Sequence, residues 1–268
     1  MGFASSFDDV RATVGPLCVG LDPSTETLLA WGLPDSAGGA LELSRAIIAG
    51  CVSRVGIVKP QVGYFERFGA AGYMALETVI QEARSAGLLV IADAKRGDIG
   101  TTMEGYASAW LSDGPLRSDA MTVSPYQGIE ALEPAFAAAT AIDGTVFVLA
   151  ATSNPDAPAM QGASLGGRSL PSIVAARARE LSNGRRTVGV VVGATRALTE
   201  SGLTVSELEG TLVLAPGFGA QGAQLSDIGA IFGRAAATVI PSVSRSVVRD
   251  GRDSVARNIE NHLRELGI

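Results

Sequence analysis

The sequence has one histidine, His262, and only two cysteines, Cys18 and Cys51. That is too few for the His and Cys clusters that hold zinc, so no metal site is expected. Two widely spaced cysteines give no disulfide framework either. No positively charged segment leads into an apolar stretch at the N-terminus, so the cysteines read as buried, unpaired thiols of a cytoplasmic protein. No uninterrupted apolar run reaches the roughly 18 residues that a bilayer-spanning helix needs. The opening MGFASS fits a myristoylation pattern loosely and lacks a polybasic companion, which argues against a lipid anchor. Positive charge is scarce: 21 lysines and arginines face 27 aspartates and glutamates, for a formal net charge of −6. A nucleic-acid surface would need clustered basic side chains. A small anionic substrate needs only a local basic site.

What the sequence does have is apolar residues, 47% of its 268 positions, enough for one barrel-sized domain or two small ones. Eight short runs rich in branched residues recur: LCVGLD (17–22), VGIVKP (55–60), LLVIADAK (88–95), DAMTVSP (119–125), TVFVLAAT (145–152), TVGVVVGAT (187–195), TLVLAPG (211–217) and ATVIPSVSR (237–245). Helix-like stretches separate them, such as residues 40–54, 71–87 and 171–183, and the chain closes on an amphipathic helix, ARNIENHLREL. Continuous apolar runs alternating with amphipathic helices predict parallel strands covered on their outer face. Eight such units, with no Pro/Ser-rich linker between them, predict a single (β/α)8 TIM barrel over residues 1–268.

Such a barrel gathers its chemistry where the strands end at their C-termini. Polar residues stand there: Asp22, Lys59, Asp93, Lys95, Asp98, Ser153, Gln221 and Arg245. Asp93 and Lys95 are two apart on an extended segment, so their side chains leave the same face. Lys59, on the neighbouring strand, extends them into a Lys–Asp–Lys array. Opposite charges about 4 Å apart attract by on the order of 4 kcal/mol at an effective dielectric near 20. The array therefore either closes the barrel mouth as a structural ion network or holds an ammonium ready to stabilise and protonate a carbanion. The RGD at Arg96–Asp98 is also an adhesion tripeptide, a reading that does not suit a cytoplasmic chain. Gly217-x-Gly219-x-x-Gly222 formally matches a dinucleotide fingerprint, but it follows the seventh strand and lacks the acidic ribose partner. Loops after the seventh and eighth strands commonly bind phosphate in barrels. Gly219, Gln221 and Arg245 are the candidates for that task.

The segment DAKRGDIGTT resembles the DxKxxDI…T signature of the orotidine 5′-phosphate decarboxylase family, particularly its actinobacterial-type branch. The resemblance continues through GLDPS, VKPQVGYFE, ATSNPD, APGFGAQG and SRSV in the expected order. It implies decarboxylation of orotidine 5′-monophosphate to UMP, the last step of de novo pyrimidine synthesis, with no metal or organic cofactor. It also implies that Lys95 protonates C6, that Asp93 crowds the substrate carboxylate, and that Lys59 bridges Asp93 and the ribose. Asp22 would bind the ribose as well, Ser153 the pyrimidine amide, and Gln221 and Arg245 the phosphate. Asp98 and Thr102 would act across a homodimer interface. Residues 153–169 and 216–225 read as flexible segments that close over base and phosphate. Three alternatives differ in kind: a Mg²⁺-dependent sugar-phosphate decarboxylase or aldolase, an NADP-dependent reductase built on the glycine turn, and a catalytically silent phosphosugar-binding regulator.

Overall fold

Each of the eight apolar runs forms a strand. The computed structural model describes residues 2–268 and contains β1 (Cys18–Leu21), β2 (Ile57–Pro60), β3 (Leu89–Arg96), β4 (Ala120–Val123) and β5 (Thr145–Ala151). A small hairpin, β6 (Ser164–Leu165) and β7 (Arg168–Ser169), precedes β8 (Val188–Val192), β9 (Val213–Pro216) and β10 (Val239–Val243). Eight strands close into a barrel in the order β1-β10-β9-β8-β5-β4-β3-β2, with every barrel pairing parallel. This is the (β/α)8 architecture expected from the spacing. β9 and β10 are thus the seventh and eighth barrel strands.

The helices begin and end where local chemistry dictates. Ser36 caps the helix Ala37–Cys51 by accepting the Gly39 N–H, and Ser169 caps Leu170–Ser182 by accepting the Ser172 N–H. Asn183, in the left-handed conformation, stops the latter helix. Their apolar faces, including Leu43, Ile47, Val174 and Ala178, pack on the outside of the barrel in one continuous core.

Inside the barrel the two-residue period of the strands creates layers. Cys18, Ile57, Ile91, Ala120, Phe147, Leu212 and Ile240 form a buried lower layer. Two residues further along the same strands stand Gly20, Lys59, Asp93, Thr122 and Ser242, a polar tier directly above the apolar floor, while Leu149 and Leu214 continue the floor upward on the opposite side. The opposite end is plugged by the N-terminal helix Phe3–Val14. Its Phe3 and Phe7 are fully buried against the lower layer, and Phe3 meets Phe147 edge-on with ring centroids 5.8 Å apart. Burying each phenyl ring contributes about 2 to 3 kcal/mol.

The segment 153–169 carries local structure of its own. It holds a short helix, Ala157–Gln161, and the β6–β7 hairpin, whose turn residues Gly166 and Gly167 have φ of 60° and 80°. Positive φ at both central positions is the turn that matches strand twist, and glycine adopts it without strain. The Gln161 side chain holds the loop start by accepting the Thr152 N–H at 2.9 Å and donating to Thr152 Oγ1 at 2.8 Å.

Candidate active site

The polar tier opens into a cavity of about 260 Å³ at the C-terminal end of the barrel, where Asp22, Lys59, Asp93, Lys95, Ser153, Gln221 and Arg245 come together. Asp93 lines its wall and is almost wholly buried. Lys59 Nζ donates to Asp93 Oδ2 at 2.7 Å and Lys95 Nζ to Oδ1 at 2.6 Å. Two neutral donors complete the set: Gln61 Nε2 to Oδ2 at 2.9 Å and Thr122 Oγ1 to Oδ1 at 2.9 Å. Burial would push the Asp93 carboxyl up, but the Lys59 and Lys95 ammoniums overcome it and hold it well below the usual carboxylate range. Burial likewise opposes charge on Lys59, yet Asp93 and Asp22 raise its pKa and keep it protonated. Beneath them, burial pushes the Cys18 thiol up to about 12, leaving it neutral.

Lys95 reaches this position through an irregularity in β3. Its φ is 48°, and the β3–β4 register shifts between Ala92 and Arg96. Its N–H donates to Thr122 Oγ1 at 2.9 Å, and its ammonium also reaches Gln61 Oε1 at 3.3 Å. Gln61 and Thr122 were not among the sequence candidates. Gln61 owes its place to a bridge that sets it beside Asp93, and Thr122 to the inward register of β4. Arg96 points elsewhere: it pairs with Glu66, which also accepts the Tyr73 hydroxyl at 2.6 Å, and it lies over the Tyr106 ring.

On the far side of the cavity, Ser153 Oγ lies 3.5 Å from Gln221 Oε1, so the loops after β5 and β9 meet. Asp22 Oδ1 is buried with no hydrogen-bond partner, a lone acceptor on the cavity wall. Gly219 corrects one expectation. Its N–H donates to the Ala223 carbonyl at 3.0 Å, and Gly222 N–H returns to the Gly219 carbonyl at 3.1 Å. The turn closes on itself instead of opening a helix, so Gly219 offers no free amide to a phosphate and the dinucleotide reading loses its geometry. The cavity is lined there by Phe218, Ala220 and Gln221. Asp98 and Thr102 lie outside the cavity of this chain. Asp98 Oδ1 accepts the Ile99 N–H at 2.8 Å, and Thr102 is exposed on the helix Gly100–Leu111. Among the described residues, no three His, Cys, Asp or Glu side chains are grouped to hold a metal ion, and no helix is long and apolar enough to cross a membrane.

A family model described as orotidine 5′-phosphate decarboxylase / HUMPS matches residues 15–258. The chain is 44% identical over 272 residues to an orotidine 5′-phosphate decarboxylase from Corynebacterium glutamicum, covering 96% of both chains. A crystal structure from Streptomyces avermitilis superposes with a TM-score of 0.93 at 39% identity, covering 100% of this chain and 96% of that one. The OMP decarboxylase of Leishmania donovani superposes with a TM-score of 0.81 at 31% identity, covering 100% and 98%. Sequence, barrel topology and the charged tier thus converge, and this chain belongs to the orotidine 5′-phosphate decarboxylase / HUMPS family.

Proposed function

We propose that this protein, as one barrel unit over residues 1–268, decarboxylates orotidine 5′-monophosphate to UMP in the cytoplasmic synthesis of pyrimidines. The observation that carries this reading is Asp93 held between the Lys59 and Lys95 ammoniums, 2.7 and 2.6 Å away, at the edge of a nucleotide-sized cavity. The C6–carboxylate bond breaks heterolytically, CO2 leaves, and the electron pair stays on C6. The Lys95 ammonium then gives a proton to C6 and is left as a neutral amine. An sp² carbanion has little delocalisation, so preorganised charge must supply most of the barrier reduction. Asp93 beside the substrate carboxylate disfavours the ground state. Its own ionisation is secured by four donors.

The remaining roles are those that the family resemblance implies for the residues lining the cavity. Asp22, with its unpartnered buried oxygen, and Lys59 take the ribose hydroxyls. Ser153 takes the pyrimidine amide, while Gln221 and Arg245 take the phosphate. Phosphate binding is remote from the broken bond, so its free energy can draw the two loops together across the Ser153–Gln221 contact. Asp98 and Thr102 serve the neighbouring site of a homodimer; the exposed Ile99 and Tyr126 near them supply apolar surface for that interface. The test follows the loss of orotidine 5′-phosphate absorbance with EDTA present. Wild type is expected to turn over undiminished, and Lys95→Ala to lose at least about a thousandfold in kcat, the upper part of the range for removing one general acid. Full activity in Lys95→Ala would reject the proton donor, and abolition by EDTA would favour a metal-dependent reaction.

A further inference from the structure

The one histidine of the sequence lies on the terminal amphipathic helix. His262 is half-buried in the terminal helix Val255–Glu265, and its Nε2 lies 2.8 Å from Ser246 Oγ. Glu265 Oε2 lies 3.5 Å from Nδ1. A carboxylate on that side selects the tautomer protonated at Nδ1, so Nε2 accepts the Ser246 O–H. Burial lowers the ring's pKa, partly offset by Glu265, which favours this neutral form.

Three residues on one face of this helix bond to the segments that follow β9 and β10. Asn258 Nδ2 donates to the Val247 carbonyl at 3.0 Å, His262 holds Ser246, and Glu265 Oε1 accepts the Leu225 N–H at 2.7 Å. Ser246 directly follows Arg245, and Leu225 ends the turn that carries Gln221. The Ser246 hydroxyl also abuts that turn. A Cβ on Gly219, whose φ is 69°, would lie 2.7 Å from Ser246 Oγ and 3.5 Å from His262 Cε1. Ser, His and Glu in this order resemble a hydrolase triad, but Ser246 is buried beneath Gly219 with no room for an acyl group.

We propose that His262 is a positioning residue for phosphate: by fixing the Ser246 hydroxyl it sets the backbone of Arg245 and the height of the Gly219 turn that presents Gln221. This rests on the reading above that Arg245 and Gln221 grip a substrate phosphate. UMP and uridine differ only by that phosphate, so the ratio of their affinities isolates it.

Calorimetric titration of UMP and uridine compares wild type with His262→Leu, His262→Gln and Ser246→Ala. A buried hydrogen bond near a charged group corresponds to about tenfold in binding. His262→Leu and Ser246→Ala are expected to lower the UMP-to-uridine ratio about tenfold, with uridine affinity held within about twofold. His262→Gln, which keeps an acceptor near Nε2, is expected to recover most of the ratio. An unchanged ratio in both Ser246→Ala and His262→Leu overturns the proposal, as does uridine affinity falling in step with UMP. If His262→Leu does not fold, Ser246→Ala decides alone. A wild type that binds UMP no more tightly than uridine rejects the phosphate cavity itself, and the proposal with it.

Discussion

At Asp93 one carboxylate pairs with both ammoniums of the cavity. Removing one member of a buried ion pair leaves its partner uncompensated, at a cost of about 3 to 5 kcal/mol. In Asp93→Asn the stranded partner is Lys59, 6% exposed, so a stability loss of about that size is expected near neutral pH. The sign with pH follows from the depressed carboxyl. Its stabilisation is complete above the unfolded value of about 3.9 and is lost as pH falls from there towards the folded value. Thermal unfolding from pH 7 to pH 3 should therefore show the gap between wild type and Asp93→Asn constant down to about pH 4.5, then narrowing. A gap that widens with acid would contradict a depressed Asp93. The charged members of this site were legible in the sequence because charges at the ends of apolar runs demand partners. Gln61 and Thr122 were not, since neutral polar residues are ordinary at strand ends and only register brings these two to Asp93.

Among the elements, β3 shows how a strand aims a reactive group. Alternation correctly put Asp93 and Lys95 on one face, but not the left-handed turn at Lys95, because lysine gives no signal for positive φ. That conformation costs about 1 to 2 kcal/mol in an L-residue. It is held by the Thr122 hydroxyl, which accepts the Lys95 N–H while donating to Asp93. Thr122→Val keeps the shape and removes both bonds. The expected result is a kcat about tenfold lower with KM within about twofold, as the ammonium loses its aim while the ribose and phosphate contacts remain. An unchanged kcat would mean that Lys59 and Gln61 suffice to place Asp93 and Lys95. Within residues 153–169 the hairpin was not legible for a related reason: only the conformation of the paired glycines reveals it.

For the molecule as a whole, eight runs and their spacing made the barrel readable, since each strand is buried on both faces and needs a continuous apolar stretch. A partnership between chains is implied by resemblance alone; within one chain, Asp98 and Thr102 lie outside the cavity. Mixing Lys95→Ala with Asp98→Ala subunits tests it. With sites shared across the interface, randomly exchanged dimers regain up to about one quarter of wild-type activity, because half the dimers are mixed and each restores one of two sites. No recovery after verified exchange would place Asp98 in the site of its own chain.

The phenylalanine plug makes the barrel a blind well. Phe3 and Phe7 fill one mouth beneath a buried layer, and the cavity opens at the other. Whatever enters must depart past the same rim. Under the proposed reaction, CO2 freed over that floor would leave by the doorway through which the nucleotide came, so the two departures share one exit.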